Sequence, residues 1–160
     1  MNLISHGSHM YQSLDSIVNV YIYLWHNGEV KAYQIARSQN QDLILKTLKK
    51  AINPNEDLSK LLIHSDQGIL YQSPKYRNYL KKTSFTQSMS AKGNAYDNAV
   101  IESFFGTLKC ETIYLQKVKS LSDLIRTIDE YIYWYNHDRI KLTLGGYSPI
   151  QYRLMNQQMI

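Results

Sequence analysis

LLIHSDQGILYQSPKYRNYLKK, residues 61–82, is the stretch on which the fold turns. Its opening LLIH is a short apolar run of the kind that forms a buried strand, and SDQG ends it with turn-forming residues. Asp66 therefore falls just beyond the carboxyl end of a strand, where α/β sheets place ligands and catalytic groups. His64 and Ser65 precede the acid, and Gly68 supplies backbone freedom after it. Pro74 suits a first helical turn and predicts a helix to about Lys82. Strand, polar turn and helix in immediate succession are the grammar of an α/β layer.

The flanking text extends that pattern. IVNVYIYLWHNGEVKAYQIA at 17–36 holds two β-rich runs around Asn27-Gly28, a strong short hairpin signal. DLILKTLKKAI at 42–52 has apolar residues at helical spacing and stops at Asn53-Pro54. Downstream, FTQSM at 85–89 reads as a strand, SAKGNAYDN at 90–98 as a polar loop, and about 98–110 as a helix. Ser120 and Asp123 fit a capping box that opens a long helix to about His137. That helix carries Leu121, Leu124, Ile125, Ile128, Ile132 and Tyr135 on one face. LTLGGYSPIQYR at 142–153 is a Gly/Pro-punctuated loop followed by a short helix. Strands first, then alternating helices and strands, predict an α/β fold with a mixed sheet. Residues 1–10 look foreign, because GSHM at 7–10 resembles a cloning scar. Setting them aside leaves a domain over 11–160 whose C-terminal helix and tail begin near 120.

The chain has 160 residues, enough for one domain with a real core. No apolar run approaches the roughly 20 residues that span a bilayer, and no signal-peptide order is present, which points to the cytoplasm and to no membrane partner. The single cysteine, Cys110, excludes an internal disulfide and a zinc finger; it reads as a helix-surface or core residue. Lys and Arg outnumber Asp and Glu by 18 to 13, a net charge of +5 that permits a polyanionic partner such as DNA.

Thirty-five residues lie between Asp66 and Glu102, enough for a helix, a strand and a loop that return the chain to the same sheet end. Hard cations such as Mg²⁺ take oxygen ligands and keep several waters, so one or two carboxylates can suffice for each ion. Two such ions about 4 Å apart can activate an attacking hydroxyl and stabilise a leaving oxygen in phosphoryl transfer. An arbitrary Asp and Glu are more often solvated groups or turn caps, so this pair needs its context.

That context is specific. HSDQGILYQS (64–73), QSMSAKGNAYDNAVIESFFGTLKCE (87–111) and YIYWYNHDRIKLTLGGYSPIQYR (131–153) together closely resemble the integrase-core transposases of bacterial insertion sequences, second-reading-frame type. The resemblance runs in order over about residues 27–155. It implies a ribonuclease-H-like fold with helices flanking a mixed sheet, Mg²⁺ or Mn²⁺ as cofactor, and DNA cleavage and strand transfer at element ends by a multimer on DNA. Asp66 matches the second acid of the family's Asp-Asp-35-Glu triad and Glu102 the third. Lys109, two helical turns after Glu102, matches the basic residue that approaches the DNA end, against the alternative of a solvated lysine. Lys92, Asn94 and Asn98 match the loop before the catalytic helix, where they can reach DNA or, with Asp97, cap the helix. Asn136, Arg139 and Lys141 fall in a segment that can contact DNA or form turns. Phe104, Phe105, Trp134 and Tyr135 read as core anchors.

The family's first acid lies on the first strand, about 20 residues before the hairpin, which here lands near Ser5–Gly7 with no acid present. Asp15 is the one acid upstream of Glu29 and stands too close to the hairpin, so it enters as a candidate third metal ligand only. A first strand altered or missing would account for this, and a non-catalytic remnant that keeps the fold and binds DNA or a subunit is the alternative reading. No helix-turn-helix is recognisable, so recognition of element ends is expected to lie elsewhere.

Overall fold

The computed structural model describes residues 2–12, 17–25, 27–37, 40–52, 61–65, 68–83, 86–89, 99–115 and 118–157. Five strands are β1 (Asn2–Gln12), β2 (Ile17–Trp25), β3 (Val30–Ala36), β4 (Leu61–Ser65) and β5 (Thr86–Met89). They form one sheet in the order β3-β2-β1-β4-β5. β1 to β3 are antiparallel neighbours, whereas β4 runs parallel to β1 and β5 parallel to β4. The helices are α1 (Gln41–Ala51), α2 (Pro74–Lys81), α3 (Ala99–Leu108), α4 (Leu121–His137) and α5 (Pro149–Gln157).

The sheet's centre corrects one expectation. Residues 2–12, most of which the scar-like GSHM text had set aside, form β1, the middle strand. Its NLISHGSHMYQ has no apolar-polar alternation, so periodicity gives no strand signal there. Pairing on both edges substitutes for it: Ser5 is opposite Leu24 of β2 and opposite His64 of β4. The first strand is therefore present, and no Asp or Glu occurs in it.

Each sheet face carries its own core. Val20, Ile22 and Leu24 alternate along β2 onto one face, where they pack with Ile101, Phe104, Phe105 and Leu108 of α3 and Leu124, Ile128, Tyr131, Ile132 and Tyr135 of α4. Tyr23 points the other way, into Ile44, Leu45 and Leu48 of α1, Ile63 of β4, and Tyr76 and Leu80 of α2. Val30 joins the first core and Ala32 the second, although strand alternation would give both the same face. A register shift in β2–β3 pairing at Tyr23/Leu24 inserts the extra residue that flips them. Fully buried side chains such as Ile128 and Leu48 each contribute about 1.5–3 kcal/mol from area removed from water.

Local chemistry sets the helix ends. The side chain of Asn40 accepts from the Asp42 N–H, that of Ser73 from the Tyr76 N–H and that of Ser120 from the Asp123 N–H. Pro74 occupies the first turn of α2, as its fixed φ favours. A capping box opens α5: the Ser148 N–H donates to Gln151 Oε1 and the Gln151 N–H to Ser148 Oγ, at 3.0 and 3.4 Å. α3 does not continue as a plain helix to 110; it widens into a π-helical segment, Lys109–Ile113. Two anchors expected on α4 lie partly outside the core, since Ile125 is 37% and Trp134 43% exposed. Tyr131 and Asn136, one turn on either side of the expected stripe, are buried instead. No helix among the described residues is long and apolar enough to cross a membrane.

Candidate active site

Parallel pairing of β1 with β4 sets the carboxyl end of β4, after which Asp66 follows in sequence, beside Ser5 of β1. Ser65 is the last residue of β4 and is fully buried; Asp66 follows it and lies outside the described residues. His64, one residue earlier, pairs with Ser88 of β5, and His64 Nδ1 is 3.2 Å from Ser88 Oγ. That contact ties the ends of two parallel strands together directly before Asp66 in the chain, and it joins residues 24 apart with no local signal.

Glu102 sits in the first turn of α3, the helix that packs against β1. Its carboxylate is exposed and has no hydrogen-bonding or ionic partner among the described residues. Helix burial explains the orientation: Ile101, Phe104, Phe105 and Leu108 take the inner face, leaving Glu102 outward. α3 is unbroken from Glu102 to Leu108, so the seven-residue interval to half-buried Lys109 is close to two turns. Lys92, Asn94, Asn98 and Asp15 lie outside the described residues. No group of three or more His, Cys, Asp or Glu side chains gathers among the described residues.

Arg139, expected to meet DNA, is engaged within the protein. Its Nε donates to Glu111 Oε2 at 2.9 Å and a terminal nitrogen donates to Glu111 Oε1 at 2.6 Å, a two-pronged fork. Tyr131 donates its hydroxyl to the same carboxylate at 2.9 Å. The Arg139 guanidinium, with help from Tyr131, holds the Glu111 carboxyl below its ordinary value. Burial first, then the hydrogen bond to Glu111, pushes the Tyr131 phenol far up. Lys141 is held by the Tyr135 hydroxyl at 3.2 Å, and burial together with the Arg139 charge lowers its ammonium pKa. Asn136 grips the edge of β3, accepting from the Val30 N–H and donating to the Val30 carbonyl, both at 2.9 Å.

A second clamp fastens the tail to the hairpin. Glu29, 4% exposed, receives the Arg153 Nε at 2.7 Å and sits 3.4 Å from Lys31 Nζ. Asn27 donates its side-chain amide to the Pro149 carbonyl at 2.9 Å. Asn136 near the end of α4 and the residues from Arg139 to Arg153 that follow it thus fasten to β3, the β2–β3 hairpin and the end of α3, and Cys110 is exposed and free.

This arrangement is that of integrase catalytic cores. The catalytic core of the HTLV-2 integrase, described in complex with magnesium, superposes with a TM-score of 0.72 at 14% identity over 94% of each chain. The BIV integrase core superposes with a TM-score of 0.68 at 17% identity, over 98% of this chain and 96% of that one. The fold is therefore ribonuclease-H-like. In sequence, residues 16–95 and 102–157 both match the Integrase core domain family. An uncharacterized transposase-like protein of Haemophilus influenzae is 45% identical over 127 residues, covering 79% of this chain and 58% of that protein. The putative transposase InsK for insertion sequence element IS150 of Escherichia coli is 43% identical over 130 residues, 79% of this chain and 45% of that protein. The chain belongs to the integrase core domain family. It spans about half the length of these curated relatives.

Proposed function

We propose that the chain is the catalytic core of a transposase that cuts and joins DNA with carboxylate-bound divalent metal. One observation carries this reading: an exposed Glu102, unpartnered among the described residues, on the helix that packs on β1, with Asp66 directly after the strand that runs parallel to β1. Carboxylate oxygens suit Mg²⁺ or Mn²⁺, and a free Glu102 fits that donor chemistry. Asp66 and Glu102 would hold the metal, which when bound activates the attacking oxygen and stabilises the leaving one.

The reading does not depend on Asp15. Its neighbours Gln12 and Ile17 pair with each other seven residues beyond Ser5, about 23 Å along the strand at roughly 3.3 Å per residue. The family's first acid position, near Ser5–Gly7, does fall beside His64 at the end of β4, but with no carboxylate. Lys109, on the face of Glu102, would steady the DNA phosphate, and Lys92, Asn94 and Asn98 would approach the same strand from the preceding loop. Element ends and target DNA are the substrates, a multimer on DNA is the working form, and the cytoplasm is the compartment. The HTLV-2 core, described in dimeric and trimeric forms, supports the assembly part of that reading.

Mn²⁺ titration followed by thermal stabilisation tests the metal site. The wild-type chain should gain stability with Mn²⁺, and Asp66→Asn or Glu102→Gln should remove most of that gain. An undiminished response in both variants would place the metal elsewhere.

A further inference from the structure

The net positive charge is segregated to one layer. Along α1, α2 and the turns that flank them, residues 40–52 and 68–83, there are seven cations (Lys46, Lys49, Lys50, Lys75, Arg77, Lys81, Lys82) and one acid, Asp42. On the opposite layer, the described residues from 99 onward hold six acids and six cations. Among the described residues the positive excess thus sits mainly on α1 and α2, six charges net, against none from 99 onward.

The two helices present those cations together. Asp42 in the first turn of α1 pairs with Lys75 in the first turn of α2, and Lys49 Nζ lies 5.3 Å from the centre of the Tyr79 ring. They therefore run side by side in the same direction. The buried faces hold Ile44, Leu45 and Leu48 on α1 and Tyr76 and Leu80 on α2, which leaves Lys46, Lys49, Lys50, Arg77, Lys81 and Lys82 exposed. Among the described residues none of these six forms a salt bridge, and Asp42, which Lys46 also approaches, is already bridged to Lys75. Such a concentration repels itself and is costly unless a polyanion shares the surface.

A pocket at the β5 edge supplies an independent sign of what that polyanion is. It has a volume of about 380 Å³ and is lined by Arg77, Leu80, Lys81, Gln87 and Met89. Arg77 and Lys81 stand one turn apart on α2. Gln87 Nε2 is buried and has no hydrogen-bond partner among the described residues. A buried donor left unpaired costs about 1–3 kcal/mol. An oxyanion in the pocket would accept from it while lying against two cations.

We propose that the α1–α2 layer is a second DNA-docking surface, separate from the Glu102 side of the sheet. A backbone phosphate of duplex DNA enters the Arg77–Lys81–Gln87 pocket, and neighbouring phosphates run over Lys46, Lys49 and Lys50. The inference rests on the transposase reading for its choice of DNA. It adds a face that would hold a duplex while another DNA segment occupies the acids.

The test is fluorescence anisotropy of a labelled duplex of arbitrary sequence across a salt series, using the full chain. Arg77→Glu with Lys81→Glu, and separately Lys46→Glu with Lys49→Glu and Lys50→Glu, should each weaken binding about tenfold or more and flatten the salt dependence by about two and about three counterions respectively. Gln87→Leu, which leaves charge untouched, should weaken binding severalfold. Lys→Gln versions with unchanged melting temperature exclude misfolding. Lys119→Glu with Arg126→Glu, on the opposite layer and equal in charge change to the Arg77–Lys81 double variant, should have less than about twofold effect. Unchanged affinity in the α1–α2 variants, or equal loss from the opposite-layer variant, overturns the proposal. So does displacement of DNA by polyglutamate as readily as by unlabelled duplex, which would make the face a dock for an acidic protein. Mn²⁺-dependent strand transfer is assayed alongside. If it requires Glu102 while affinity ignores α1–α2, only the docking face fails. If binding requires α1–α2 but no strand transfer occurs, only the catalytic reading fails.

Discussion

Arg139 closes on Glu111 with two parallel hydrogen bonds, joining the segment after α4 to the π-helical turn that ends α3. The pair is partly buried, with side-chain exposures of 26% and 33%, so its strength comes from the fork geometry and the third bond from Tyr131 rather than from bare Coulomb attraction. Arg139→Ala should lower stability by about 1–3 kcal/mol in urea unfolding. Arg139→Lys should recover only part of it, because an ammonium cannot fork across a carboxylate. Full recovery by lysine would mean that the fork is unimportant.

The same pair dictates a pH response. The Glu111 pKa is depressed in the fold, chiefly by the Arg139 hydrogen bonds. A depressed carboxyl contributes stability that is present above its unfolded value of 4.5 and is lost as pH falls through the lower folded value. The wild type should therefore lose stability steeply below about pH 4.5, and Glu111→Gln should have lower stability at neutral pH with a shallower acid limb. Parallel acid limbs would remove Glu111 from the account.

Asn136 acts as a one-residue strand on the edge of β3, satisfying both backbone groups of Val30. Asn136→Ala leaves a buried N–H and C=O unpaired and should cost about 2–4 kcal/mol. Amide exchange at Val30 should accelerate in that variant ahead of the rest of β3. Protection equal to wild type would show that water replaces the side chain.

Gly28 turns the β2–β3 hairpin at φ +80°, and a Cβ there would meet Lys141 Nζ at 2.6 Å. Lysine can swing away, so the backbone conformation sets the cost. Gly28→Ala should destabilise by about 1 kcal/mol, measurable as a melting shift of a few degrees. A stabilised variant would contradict the left-handed turn.

Element by element, the sequence carried what periodicity and capping encode. The Asn27-Gly28 hairpin, Pro74 at the head of α2 and Ser120 at the head of α4 were all readable, because each signal is local. β1 was not, since NLISHGSHMYQ becomes a strand through neighbours 20 and 60 residues away. Asp66 and Glu102 stand out through their motif text; of the two, Glu102 lies among the described residues, in the first turn of α3. The roles of Arg139, Asn136 and Lys141 were not, because their partners Glu111, Val30 and Tyr135 are brought near by packing. Ser148 and Gln151 form a capping box whose spacing was in plain view and unused. Glu29 and Arg153, 124 residues apart, left no local trace at all.

In the proposed function Asp66 and Glu102 serve metal-dependent chemistry on DNA. Strand transfer of a labelled DNA end in Mn²⁺, comparing the wild type with Asp66→Asn, Glu102→Gln and Asp15→Asn, measures it most directly. The account predicts joined product from the wild type and from Asp15→Asn, and a loss of about 10³-fold or more in the other two. Equal product from Glu102→Gln and the wild type, or none from any chain, would contradict it.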